Sequence, residues 1–221
     1  MKKILYYALC ITLYALLFSG CGNTAEEKSP AEPEKKSVDK APVETSSADK
    51  KILVVYFSRT GEEYNVGTIT KGNTAIIAEM IAQKTGADTF EVKAATPYPD
   101  EYDACTELAK KELESNARPA FASNVENLAQ YDTVFIGFPI WWGAVPRVMM
   151  TFLEANDFSG KTIIPFCTHG GSGLAGTERE VADACPNAKI LQGLAISGRT
   201  AQNDSAVAQN DVDAWLKDLG Y

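Results

Sequence analysis

Residues 54–74 read VVYFSRTGEEYNVGTITKGNT, and the fold turns on how this stretch is parsed. An apolar run ends in Ser58, Arg59, Thr60 and Gly61. Hydroxyls and glycine between a strand and a helix leave backbone N–H groups free to hold an anion. The helix, however, does not follow at once. Residues 62–72 intervene, and a helical pattern starts only at Asn73. In NTAIIAEMIAQKTG (73–86), Ile77 and Met80 or Ile81 share a face, with Asn73 or Thr74 as cap and Gly86 as stop. The stretch is either a broken phosphate loop or one loop with residues 62–72 inserted between its halves. Tyr64, Val66 and Ile69 make the insert too apolar for an idle solvent loop, which predicts a cover over the site or a partner-docking flap.

Four further runs have strand length: DTFEVKA (88–94), TVFIGFP (133–139), TIIPFCT (162–168) and KILQGLAIS (189–197). Together with ILVVYFS (52–58), most are continuously apolar, the pattern of strands buried on both faces; 88–94 alternates and reads as an edge. Between them lie helical patterns: EYDACTELAKKELESNA, VPRVMMTFLEAN, TEREVADAC and SAVAQNDVDAWLKDLG. Such alternation predicts a doubly wound α/β domain with a parallel sheet. Ligands of such sheets sit beyond the carboxyl ends of the strands, so the loops there are the ones to read.

Two more loops carry chemistry. Pro139-Ile140-Trp141-Trp142-Gly143 puts adjacent tryptophans at a strand end. A planar ring stacked on one indole would bury a large area, and the Gly143 amide could approach its edge; the competing reading is a lid on the core. Thr168-His169-Gly170-Gly171-Ser172-Gly173 offers amides and hydroxyls, and its histidine is the only one in the chain. His169 is either a polar loop residue or a proton donor to a bound group. Pro97-Tyr98-Pro99 reads as a plain turn, Cys167 as inert packing, and a Cys105–Cys185 bridge stays open.

With 62–72 removed the chain reads YFSRTGNTAIIAEMI, and this S-x-T-G-N-T resembles the phosphate loop of the flavodoxin superfamily, in the branch with a long first loop. The resemblance covers residues 51–221. It implies a flavodoxin-like five-stranded sheet of order 2-1-3-4-5 with helices on both faces. It also implies FMN as cofactor. Ser58, Arg59, Thr60, Gly61, Asn73 and Thr74 would serve the phosphate, 139–143 would lie against the isoalloxazine, and 168–173 would border it.

Composition bounds the partners. Residues 51–221 hold 14 Lys+Arg against 22 Asp+Glu, with no basic stripe, which argues against nucleic acid and against lying on an anionic membrane. One histidine and no CxxC argue against a zinc or iron site. Lys2 and Lys3 precede an apolar stretch, residues 4–18, shorter than the roughly 20 residues of a spanning helix. FSGC (18–21) then resembles the lipobox of bacterial lipoproteins, with Phe where Leu is commonest. The expectation is a signal peptide over 1–20, lipidation of Cys21, and an exported domain held to a membrane by that anchor alone. Residues 21–50, rich in Pro, Glu, Lys, Ser and Ala, read as a disordered tether to the domain over 51–221. The expected function is an FMN-dependent redox protein, passing electrons to a quinone-like or protein acceptor with His169 as proton donor. The alternatives are a one-electron carrier and a non-catalytic flavin-binding protein.

Overall fold

The computed structural model describes residues 51–221; the expected signal peptide, Cys21 and the tether lie outside them. The chain runs through β1 (Ile52–Tyr56), β2 (Gly61–Glu63), β3 (Gly67–Ile69), α1 (Asn73–Thr85) and β4 (Asp88–Glu91). It continues through α2 (Tyr102–Glu114), β5 (Thr133–Pro139), α3 (Arg147–Ala155), β6 (Thr162–His169) and α4 (Thr177–Ala184). It ends in β7 (Lys189–Ile190), β8 (Leu194–Ser197), α5 (Gly198–Asn203) and α6 (Ser205–Leu219). The main sheet has the order β4-β1-β5-β6-β7, with β8 also on β6 and every pairing parallel. The expected order is therefore met, with 88–91 at the edge.

Both faces of the sheet are covered, which is why its strands read as continuous apolar runs. Ile77 and Ile81 of α1, with Val212 and Leu216 of α6, pack on Val54, Phe135, Ile164 and Phe166. On the other face Val148, Met149, Phe152 and Leu153 of α3 pack on Leu53, Val55, Val134, Ile136 and Ile163. Each such side chain contributes about 1.5–3 kcal/mol by leaving water.

The fifth strand departs from expectation. Residues 189–197 form two short strands, β7 and β8, separated by Leu191, Gln192 and Gly193. Ile163 faces Ile190 and Phe166 faces Leu194, so two residues of β6 oppose three. One of the two is Pro165, whose carbonyl points at this edge, 3.0 Å from where a Gly193 Cβ would stand. Lacking an N–H, it cannot donate to the next strand, and the ladder bulges there. Side chains take the released groups: Gly193 N–H donates to Glu178 Oε1 at 2.8 Å, and Trp215 Nε1 donates to the Gln192 carbonyl at 3.1 Å.

Gly137 in β5 lies under the Phe166 ring, and a Cβ there would stand 2.1 Å from Phe166 Cζ. Gly137→Ala must push a fully buried ring out of its place, which costs about 1–3 kcal/mol. Chemical denaturation should show that loss with an unchanged slope.

Candidate functional site

The strand ends of β1, β5 and β6 open into a cavity of about 330 Å³. Three loops predicted from sequence converge on it, joined by α2, the inserted segment and the start of α5. Of the predicted residues, Arg59, Asn73, Pro139, Ile140, Trp141, Trp142, Thr168, His169 and Gly170 line it.

At one end lies the start of α1. Its flanking residue is Gly72, not Asn73 or Thr74, and Gly72 makes no side-chain cap bond. The cap comes from across the insert: Ser58 Oγ accepts the Ala75 N–H at 3.1 Å. Gly72 sits so close behind it that a Cβ would stand 2.1 Å from Ser58 Oγ and 2.4 Å from the Arg59 carbonyl. The two halves of the loop therefore meet at Ser58-Arg59 and Gly72-Asn73-Thr74. Gly72 takes the place that sequence reading gave to Gly61. Thr60 and Gly61 are carried off to the base of the β2–β3 hairpin and do not line the cavity. Thr74 Oγ1 bonds Thr168 Oγ1 at 2.8 Å, tying the first loop to the end of β6 from behind.

Arg59 also differs from expectation. Its guanidinium donates to the carbonyls of Thr60 at 2.7 Å and Asp100 at 3.3 Å, and to that of Glu62. It also pairs with Glu63 at 3.4 Å. The cation organises the insert instead of reaching for a phosphate.

Asn73 carries the sharpest signal. Only 9% exposed, it holds the one buried side-chain polar atom without a partner among the described residues, Oδ1. An unmet buried acceptor costs about 1–3 kcal/mol. A ligand hydroxyl or N–H would relieve it, and the amide turned over would present its NH₂ to an anion. Gly198 leaves room for this side chain, since a Cβ there would stand 2.6 Å from Asn73 Nδ2. Beside Asn73, the positive end of the α1 dipole and its unsatisfied N–H groups favour a negative group.

The tryptophans divide their roles. Trp141 packs edge-on against Tyr98 at 4.8 Å and Phe57 at 5.4 Å, so the reading as a lid on the core holds for this one in part. Trp142 is 57% exposed on the rim. With Gly143 it forms a tight turn at positive φ, 53° and 74°, closed by the Trp141–Ala144 bridge. Its indole Nε1 donates to the Thr106 carbonyl at 2.8 Å, and Lys110 Nζ lies 5.5 Å over the ring. Tyr98 donates to Glu112 Oε2 at 2.8 Å and supports Trp141 without lining the cavity.

His169 ends β6. Its Nδ1 accepts the Gly171 N–H at 2.9 Å, which leaves the proton on Nε2. Burial holds its pKa below the ordinary value, so it is a neutral donor near pH 7. Gly171, Ser172 and Gly173 stand outside the lining, as does Gly143. Burial pushes the Cys105 thiol up to about 11, and Cys167 and Cys185 up to about 12; all three are free and inert as nucleophiles.

Sequence reading missed the α2 wall. Tyr102, Cys105, Thr106 and Ala109 recur at helical spacing and line the cavity, but such spacing reads equally as a core-facing stripe. Glu63 and Tyr64 of the insert line it too.

The family described as Flavodoxin matches residues 51–218. The chain belongs to the flavodoxin family. Among solved structures, a Bacteroides eggerthii protein assigned as a flavoprotein is 31% identical, with a TM-score of 0.63, over 78% of this chain and 99% of that one. A Bacteroides uniformis protein assigned likewise is 32% identical, with a TM-score of 0.60, over 76% of this chain and 98% of that one. A Lactobacillus acidophilus flavoprotein solved with FMN shares the fold at 20% identity and a TM-score of 0.54, over 76% and 99%. No curated protein matches the chain. Within this flavodoxin fold the cavity occupies the crevice at the strand ends where the order reverses.

Because the folded-state pKa of His169 is depressed, the native state binds fewer protons than the unfolded chain just below pH 6.5. Stability that comes from burying the neutral imidazole is therefore lost as pH falls through 6.5, levelling below the folded pKa. His169→Asn, whose side-chain oxygen can still accept from Gly171, should flatten that part of the profile. Melting temperatures from pH 7.5 to pH 5 would check it.

Proposed function

We propose that this flavodoxin-family protein holds FMN in the cavity and works as a redox protein. Asn73 Oδ1 is the observation that carries the reading. A well-packed domain leaves one buried side-chain acceptor unmet, and it lies at a helix N-terminus in an aromatic-walled cavity. The residues fit FMN: α1 and the Ser58-capped loop for the phosphate, Asn73 for a polar group beside it, and the 139–142 and 168–170 loops for the ring. When bound, FMN supplies reversible uptake and release of up to two electrons.

The chain's own groups set the conditions. Ser58 holds the N-terminus of α1 in place, and Thr74 with Thr168 fixes the distance between the two loops. Among the described residues lining the cavity, Arg59 is the one cation, and it is engaged with carbonyls and Glu63. Charge there is met by helix dipole and N–H groups. His169 presents a neutral Nε2–H, a hydrogen-bond donor to a ring carbonyl or to an acceptor molecule. With an acidic domain and an internally neutralised arginine, negative charge on the ring is disfavoured, which lowers the potential relative to free FMN.

Titrating purified apoprotein with FMN, followed by flavin absorption and tryptophan fluorescence, tests the reading directly. Saturable quenching with one site supports it; no binding refutes it. Trp142→Ala should weaken binding by about 1–3 kcal/mol while sparing stability, by analogy with base–aromatic stacking. Trp141→Ala should lower stability as well, because its ring supports Phe57 and Tyr98.

Location follows from the N-terminal sequence. The protein is exported and anchored through lipidated Cys21, with the domain on a tether. Wild type should fractionate with membranes, and Cys21→Ala should be processed differently and released. Identical fractionation of the two would sink this reading.

A further inference from the structure

The β2–β3 hairpin is fastened down along its length. Glu62 N–H donates to the Asp100 carbonyl at 2.8 Å, and Tyr102 N–H donates to Glu62 Oε2 at 3.1 Å. Arg59, its side chain 7% exposed, ties the hairpin base to Glu63 and Asp100. The tip residue Tyr64 spans the cavity mouth. Its ring stacks on Tyr102 at 6.1 Å and lies against Gly170, where a Cβ would stand 2.8 Å from Tyr64 Cδ1. Loop 168–173 carries no side chain larger than His169, so the aromatic surface on that side comes from the hairpin.

We propose that the hairpin is a fixed roof closed by Tyr64, so that electrons leave through a small, flat, uncharged molecule admitted beside Tyr102 and Trp142, not through a docked protein. This rests on FMN occupying the cavity. Among the cavity's lining residues Tyr64, Tyr102, Thr106, Ala109 and Trp142 are uncharged, and the charged Arg59 and Glu63 neutralise each other. Tyr64 and Tyr102, stacked at 6.1 Å, offer aromatic surface to a flat ring. A quinone meets these demands, and His169 Nε2–H is a neutral donor in the cavity for a quinone carbonyl. A quinone leaving as hydroquinone gains two electrons and two protons, the same two electrons and two protons that fully reduced FMN loses on returning to its oxidised form.

The test uses the FMN-loaded full chain, reduced anaerobically with dithionite and mixed with 1,4-benzoquinone or with cytochrome c. Cytochrome c is a demanding control, because its basic surface is attracted to a domain with 14 Lys+Arg and 22 Asp+Glu. Wild type should reoxidise at least about 100-fold faster with the quinone, since a roof controls access. Two variants open the roof: Tyr64→Ala, and removal of residues 60–71 so that Arg59 joins Gly72, its neighbour in space. Both should speed reaction with cytochrome c by at least about tenfold while FMN affinity changes by less than that factor. Both should also weaken equilibrium binding of 2-naphthol, a flat molecule that is not reduced, and Tyr64→Phe should behave as wild type. Comparable wild-type rates with the two acceptors would overturn the proposal. So would Tyr64→Ala leaving both acceptor rates and naphthol binding unchanged, or abolishing FMN binding, which would make Tyr64 a cofactor support. If the deletion variant does not fold, Tyr64→Ala decides. A chain that takes up no FMN is recognised by its spectrum before any acceptor is added, and that failure belongs to the cofactor reading.

Discussion

The site depends on one seam. Ala75 N–H reaches Ser58 Oγ, 17 residues back, and Gly72 fits behind that bond only because it has no Cβ. The hydrogen bond itself is worth about 1 kcal/mol, as caps usually are. Its geometric consequence is larger. By drawing the end of β1 onto the start of α1, it makes one short strand-to-helix loop from two segments that the sequence keeps apart. Everything between them is thereby confined to a closed excursion with adjacent ends. The cost of such an excursion rises only slowly with its length, so the chain can carry a hairpin there without giving up the loop.

The electrostatics follow from where Arg59 goes. A guanidinium in a phosphate loop would ordinarily be read as an anion ligand, and this one is next to the seam. Instead it donates to three carbonyls and pairs with Glu63, whose pKa burial raises and Arg59 lowers. The pair neutralises itself inside the cavity wall. What remains for a bound anion is the helix dipole and backbone N–H groups, which are fixed in place and cannot swing away. Among the described residues that line the cavity, Arg59 is the one cation, and it is already paired.

Much of this was legible because the relevant constraints are local. Strands buried on both faces have to be apolar throughout, so β1, β5 and β6 announce themselves. Alternation with helices makes the sheet parallel, while its strand order was implied by the resemblance of the first loop and not by the alternation. The misreadings share a different cause, a residue whose meaning is set by a distant neighbour. The break between β7 and β8 is written in Pro165, on the adjacent strand. The choice of Gly72 over Gly61 is made by Ser58 and the Arg59 carbonyl in three dimensions, although TKGNT already placed a glycine directly before Asn73-Thr74. The α2 face at Tyr102, Cys105, Thr106 and Ala109 has a spacing that a core stripe would share. Only the presence of a cavity tells them apart.

The hairpin joins these threads. Its cross-links to Asp100 and Tyr102 involve backbone groups at the start of α2, which would otherwise be spent on water. Its placement over Gly170 requires a loop with no side chain at that position, and 168–173 supplies one. Insert, α2 and the loop after β6 therefore fit one another in shape, each incomplete without the others. A decorative insertion would have no reason to meet a glycine on one side and a tyrosine on the other. The cavity is built to be covered, and the cover decides what can come near whatever it holds.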